Sequence, residues 1–150
     1  MNKIDIQNHT SHPVNEAILR KILDLVSSGE MPGREISLSL LLCYDDEISI
    51  LNKKYRGVEG STDTLSFLHN VPMSKDEPDL MMADIVISMD RIEAQQGDKT
   101  FESELFFVFL HSLLHLCGYD HTRRTDIKIM DIKQNLYQKQ IQGILESGRE

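Results

Sequence analysis

Cysteine is scarce in this chain, with Cys43 and Cys117 the only two, and tryptophan is absent. Two cysteines are too few for a disulfide framework, which excludes the small stapled secreted scaffolds. Positive charge is also short. Lys and Arg total 16 against 24 Asp and Glu, a formal net charge of −8. A chain this acidic gains little from general phosphate attraction, so a non-specific nucleic-acid coat protein is excluded. Two local basic clusters survive that argument, Lys53-Lys54-Tyr55-Arg56 and Arg123-Arg124. Solvated helix faces are their plainer reading. Long hydrophobic runs are missing too. The longest strongly apolar stretch is Leu105 to Leu110, far short of the roughly 18 residues of a membrane span. The opening Met1-Asn2-Lys3-Ile4-Asp5-Ile6 has no apolar core of a signal peptide, so the expectation is a cytoplasmic protein with no membrane partner. What remains is ordinary globular material: 150 residues, 40% hydrophobic and 27% charged, enough for a single domain over 1–150 with a true core.

No repeat or linker divides the chain. Lys3 to Gln7 alternates as a short strand, and Pro13 suits a first helical turn, with Val14, Ala17, Ile18, Ile22, Leu25 and Val26 at helical spacing before Gly29 as a stop. Ile36 to Cys43 reads as a largely buried strand. Asp45 or Asp46 is then expected to cap a helix carrying Ile48, Leu51 and Tyr55 and ending near Gly57. A short strand over Thr64 to Leu68 precedes a loop over 70–81. Ala83 to Met89 alternates again, and Arg91 to Gln96 makes a short helix. Thr100 caps a helix that is apolar nearly all round, which places it in the core. From Thr125 onward Ile129, Met130, Leu136, Tyr137, Ile141, Ile144 and Leu145 form an amphipathic closing helix. The expected fold is α+β: a small mixed four-stranded sheet flanked by five to six helices.

Chemistry concentrates in His111-Ser112-Leu113-Leu114-His115-Leu116-Cys117-Gly118-Tyr119-Asp120-His121. His111 and His115 are four apart on a helix, so their rings leave one face about one turn, or ~6 Å, apart. Gly118 ends the helix and lets His121 turn back towards the same point. Three histidines leave a fourth tetrahedral position open, the pattern of a catalytic zinc, and one ion per chain is expected. A lone histidine on a buried helix is more often a hydrogen-bonded core residue. The third histidine and the glycine weigh against that, as does the cost of burying two unpartnered imidazoles. Cys117 points away on the helix and reads as core. The spacing matches the extended zinc-protease pattern H-E-x-x-H-x-x-G-x-x-H except at its general base. Ser112 stands in that place, and a serine hydroxyl cannot act as the base, which demotes a peptidase.

Four ordered motifs resemble the YbeY family of bacterial rRNA maturation factors. The histidine segment is similar to the family's H-G-x-L-H-L-x-G-Y-D-H. Leu51-Asn52-Lys53-Lys54-Tyr55-Arg56 matches L-N-x-x-Y-R, Thr62-Asp63-Thr64-Leu65-Ser66-Phe67 matches T-D-V-L-S-F, and Asp84-Ile85-Val86-Ile87-Ser88 matches D-I-x-I-S. Ser112 and Ala83 stand where the family usually has glycine, and Ser61 and Leu68 where it has proline. The resemblance implies a zinc-dependent, single-strand-specific endoribonuclease acting in 16S rRNA 3′-end maturation and ribosome quality control. Its implied partners are single-stranded RNA, ribosomal RNA and the small ribosomal subunit, not DNA. It carries the ligand role to His111, His115 and His121 and an active-site role to Arg56. Arg56 otherwise reads as an exposed arginine complementing a helix end. For handling the proton, Asp84 stands first, with Asp63 and Asp120 as further candidates. A zinc peptidase-like hydrolase with a displaced base, and a non-catalytic ribosome-associated module with structural zinc, are the competing readings.

Overall fold

The computed structural model describes residues 2–70, 80–119 and 124–147. Four strands, β1 (Lys3–Asn8), β2 (Glu35–Cys43), β3 (Thr64–Asn70) and β4 (Leu80–Ser88), form one sheet in the order β1-β2-β4-β3. β1, β2 and β4 run parallel, and β3 closes one edge antiparallel to β4. Five helices are described: α1 (Glu16–Glu30), α2 (Asp45–Arg56), α3 (Met89–Gln95), α4 (Phe101–Leu116) and α5 (Arg124–Ser147). This is the expected α+β architecture. No described helix is long and apolar enough to cross a membrane.

Register explains how the sheet divides. Side chains alternate between its two faces. The rows Ile4–Leu38–Ala83–Leu68 and Ile6–Leu40–Ile85–Ser66 therefore share one face across all four strands. Against it α1 packs Leu19, Ile22, Leu23 and Val26, and α4 packs Leu105, Phe109, Leu110 and Leu113, all buried. The apolar-all-round sequence of α4 follows from its place between the sheet, α1 and α5. The other face carries the rows Asp5–Ser39–Asp84–Phe67 and Gln7–Leu41–Val86–Leu65. Among the described residues only α2 covers it, and the cluster there is small: Cys43, Ile48, Leu65 and Val86.

Several local expectations are corrected. The first helix starts at Glu16 under an Asn15 cap, whose Oδ1 accepts from the Ile18 N–H at 3.3 Å, so Pro13 lies ahead of the first turn. Gly29 does not stop α1. The helix runs on to Glu30, and the glycine instead makes room for Tyr137 of α5, whose hydroxyl a Cβ there would run into. Neither Asp45 nor Asp46 is the cap of α2; Tyr44 holds that position without a side-chain bond. The Asp90 carboxylate accepts from the Asp45 N–H at 2.7 Å instead. β4 begins at Leu80, inside the expected loop, because Leu80–Met82 continue the pairing with β2. On α5, Met130, Tyr137 and Ile141 are buried as expected, whereas Ile129 and Leu136 face outward at 46% and 47% exposure. The Thr100 cap of α4 is present, its Oγ1 accepting from the Ser103 N–H at 3.0 Å.

Candidate functional site

Each motif has a visible local cause. Asn52 is buried on α2 and its amide donates to the Gly60 carbonyl at 3.0 Å, which ties down the return after the helix. The chain reverses at Gly57 in the left-handed region, φ +67°. That ends α2 with Tyr55 and Arg56 at its last turn, beside β3. Tyr55 leans on Phe67 with ring centroids 5.6 Å apart. At the end of β4, Ser88 Oγ donates to Asp45 Oδ1 at 2.6 Å and accepts from the Arg91 N–H, joining the starts of α2 and α3. The Asp63 carbonyl accepts from the Ser88 N–H at 2.9 Å, which sets where β3 starts.

These constraints bring distant residues to one place. A pocket of about 430 Å³ is lined by Tyr55, Arg56, Thr64, Ser66, Phe67, His111, Ser112 and His115. His111 and His115 are not core residues, contrary to the burial argument from sequence. His111 is half-buried and His115 exposed, because this face of α4 overhangs the edge strand β3 instead of the sheet's centre. Gly118, at φ +104°, turns the chain after α4 in a conformation that side-chain-bearing residues rarely adopt. His121, Asp120 and Arg123 lie outside the described residues. Among the described residues no three His, Cys, Asp or Glu side chains gather as a metal set. The two imidazoles fit a zinc-type ion by their chemistry and placement: borderline nitrogen donors, one turn apart, on the wall of an open pocket.

Ser112 is fully committed. It is buried, and its hydroxyl donates to the Val108 carbonyl at 3.0 Å. Its one proton being used there, the 2.9 Å contact with Thr64 Oγ1 is donated by Thr64. Cys117 packs against the core, as expected, and burial pushes its thiol up to about 11.

Asp84 is not brought to this pocket. It shares a face with Phe67 and Ser39, whereas Thr64 and Ser66 turn to the α4 side. Its carboxylate meets His69 Nε2 at 2.6 Å, and both residues line a second groove, of about 590 Å³, on the open face of the sheet. Tyr55 and Phe67 line both spaces, so the two adjoin at the β3 edge. Arg124 lies apart, in a shallow hollow with Lys128 and Asp131. Sequence reasoning missed Thr64 and Ser66 as pocket residues. Their alternation was legible, but which face α4 would cover was not. It also missed His69, which a register shift between Leu68 and Asn70 accompanies at the strand edge.

Comparison with known proteins agrees with the motifs. A family model described as endoribonuclease YbeY matches residues 3–142. The endoribonuclease YbeY of Pelotomaculum thermopropionicum is 36% identical over 128 residues, covering 81% of this chain and 84% of that protein. That of Desulfitobacterium hafniense is 40% identical over 121 residues, covering 75% and 76%. The solution structure of TM1509 from Thermotoga maritima superposes with a TM-score of 0.61 at 27% identity, covering 99% of this chain and 93% of that one. A match over nearly the whole chain, with residues of three of the four motifs lining one pocket, places the chain in the endoribonuclease YbeY family.

Proposed function

We propose that this chain is a zinc-dependent, single-strand-specific endoribonuclease that acts on small-subunit ribosomal RNA, in 16S rRNA 3′-end maturation and ribosome quality control. The observation that carries this reading is the convergence of Arg56 with His111 and His115 on one pocket, from two helices joined across the edge strand. His111 and His115, with His121 as the third ligand, would hold the ion, and zinc bound there would polarise a phosphoryl oxygen and lower the pKa of water towards ~7. Arg56 is exposed at the end of α2 and its planar fork faces the same space, suited to two phosphate oxygens at once. Its fixed charge stabilises the negative charge that grows on phosphorus oxygens as the bond breaks. Asp84 meets substrate from the adjoining groove and not from within the pocket. The peptidase reading is disfavoured by Ser112, whose buried hydroxyl is tied between Val108 and Thr64 and has no freedom to act on a proton.

The test combines metal analysis of protein purified without a histidine tag with cleavage of a short single-stranded RNA and of casein. Expected are one zinc-type ion per chain, lost in the double variant His111→Ala plus His115→Ala, and cleavage of RNA only. Arg56→Ala should keep its metal and its Tm while losing ~2.7–4 kcal/mol of transition-state stabilisation, about 10²–10³ in single-turnover rate. Arg56→Lys should recover part of that, since a point charge cannot reproduce the fork. Full metal occupancy in the double histidine variant, or equal cleavage rates at position 56, would overturn the scheme.

A further inference from the structure

The groove on the open face of the sheet contributes Asp84 to the scheme above, and the rest of its floor has no role there. Its floor is the row Asp5–Ser39–Asp84–Phe67, one residue from each strand, with Gln7 beside it and Tyr55 at its rim. At about 590 Å³ it is within the ~300–1,000 Å³ range of small-molecule sites. We propose that this groove is a nucleobase subsite: it takes the base of one nucleotide flanking the bond that is cut, with a preference for bases carrying an exocyclic amine. The inference rests on the nuclease reading and extends it to recognition.

Charge decides what the groove can hold. Among the described residues no Lys or Arg lines it, and two carboxylates do, Asp5 and the His69-paired Asp84. A sugar-phosphate backbone, with a negative charge at every residue, is repelled from such a floor. A base is uncharged. Its amino groups can donate to the carboxylates, and its face can lie on Tyr55 or Phe67, as bases lie on aromatic rings in single-strand-binding proteins. Asp84 is fixed for this by His69, at 2.6 Å. Asp5, Gln7 and Ser39 make no side-chain hydrogen bond among the described residues, so their polar atoms face the groove uncommitted. Tyr55 is 59% exposed, so although Phe67 tilts against its ring and the Lys54 ammonium stands 5.2 Å from its centroid, much of the ring is open to a base. Continuity completes the argument. Tyr55 and Phe67 are shared with the Arg56 pocket, so a phosphate clamped by Arg56 leaves the neighbouring base at the groove's mouth. Amine-bearing bases are favoured because cytosine offers the N4 amino donor where uracil offers the O4 acceptor.

The test titrates a labelled single-stranded RNA hexamer with the 150-residue protein and reads anisotropy. The intact oligomer is compared with six versions carrying one abasic site each, and cleavage of the same oligomers is followed in parallel. Expected is one position whose base contributes on the order of tenfold in Kd, with cytosine several-fold better than uracil there. Ser39→Trp, which fills the groove floor, should erase both differences. Asp5→Lys, on the exposed edge strand, should erase the cytosine preference and serves if the tryptophan variant folds poorly. Six abasic oligomers that bind alike, or a Ser39→Trp protein that keeps the base dependence, would overturn the proposal. So would a cytosine preference that survives both variants. Cleavage with uniform abasic tolerance sinks the groove and leaves the nuclease standing. Base-dependent binding without cleavage does the reverse, and absence of any RNA binding removes both.

Discussion

The two faces of the sheet come from the same four strands and meet different fates. One face is apolar all along β2 and β4 and lies beneath α1 and α4, with α5 behind them, while the edge strand β3 adds Thr64 and Ser66 to it. The other carries carboxylates, serine and aromatics, and among the described residues only α2 covers it, at one end. Mixed sheets dominated by parallel strands are ordinarily covered on both sides. Here half of one side is left open, and the candidate chemistry lies where that opening meets the edge strand. Stability is thus concentrated on one face and recognition on the other.

The sharpest way to break that contrast is to truncate one aromatic on each side. Phe109 is fully buried between the sheet and α1. Phe109→Ala should cost about 3–5 kcal/mol in urea unfolding, from lost transfer energy plus the cavity left behind. Tyr55 is the groove-side counterpart, more than half exposed. Tyr55→Ala should move stability by no more than about 0.5 kcal/mol while weakening RNA binding. Equal losses of stability would mean that the open face is as structural as the closed one.

Legibility in the sequence follows the same division. The buried strands, the core helix α4 and its Thr100 cap were readable, because periodicity and a capping side chain are local signals. The pair His111 and His115 was readable from its spacing, whereas Arg56 was readable only through the L-N-x-x-Y-R resemblance, its place before Gly57 alone suggesting a helix-end charge. Other features depended on residues far away in the chain. Gly29 looked like a helix stop because nothing in its neighbourhood reveals Tyr137, 108 positions on, lying against it. Asp84 stood first for handling the proton because alternation gives its face but not which helix covers that face. The amphipathic reading of α5 placed Ile129 and Leu136 inside, since an apolar residue on a helix does not say whether a partner awaits it.

A second, smaller effect tests whether polar contacts on the closed side also carry stability. Glu30, at the end of α1, is buried and receives the hydroxyls of Tyr119 and Tyr137 and the Lys133 ammonium, the last at 3.2 Å. Burial alone would raise its pKa, but those three donors outweigh it and hold the carboxyl below its ordinary value near 4.5. A lowered carboxylate contributes stability above its unfolded pKa and loses it as pH falls through the folded one. The tyrosines titrate the other way. Burial, then the bond to Glu30, pushes Tyr119 up to about 12, so its contribution is intact below about 10 and is lost as pH rises through the folded value. Glu30→Gln should therefore cost ~1.5–3 kcal/mol at pH 7, as expected for bonds to a charged group. It should also flatten the stability profile below pH 4.5 and above pH 10, as followed by urea unfolding across pH. A profile of unchanged shape would show that the cluster is not what shifts these groups.

The smallest expected effect lies where the two faces meet. Thr64 stands on the edge strand, and its hydroxyl donates to Ser112, which itself donates to Val108. Thr64→Val keeps the shape and the β-branch, so packing of β3 against α4 is preserved. It removes the donor, and the Ser112 oxygen loses its partner on β3. The expected cost is ~1 kcal/mol. Ser112→Ala removes the acceptor and the bond to Val108 together, so its own cost does not isolate the contact. The double variant does. If the Thr64–Ser112 bond carries energy, the two costs should fall short of additivity by at least about 0.5 kcal/mol. Strict additivity in urea unfolding would mean that α4 is seated on the edge strand by shape alone. The hydroxyl that stands in place of a protease's glutamate would then be tolerated there without being used.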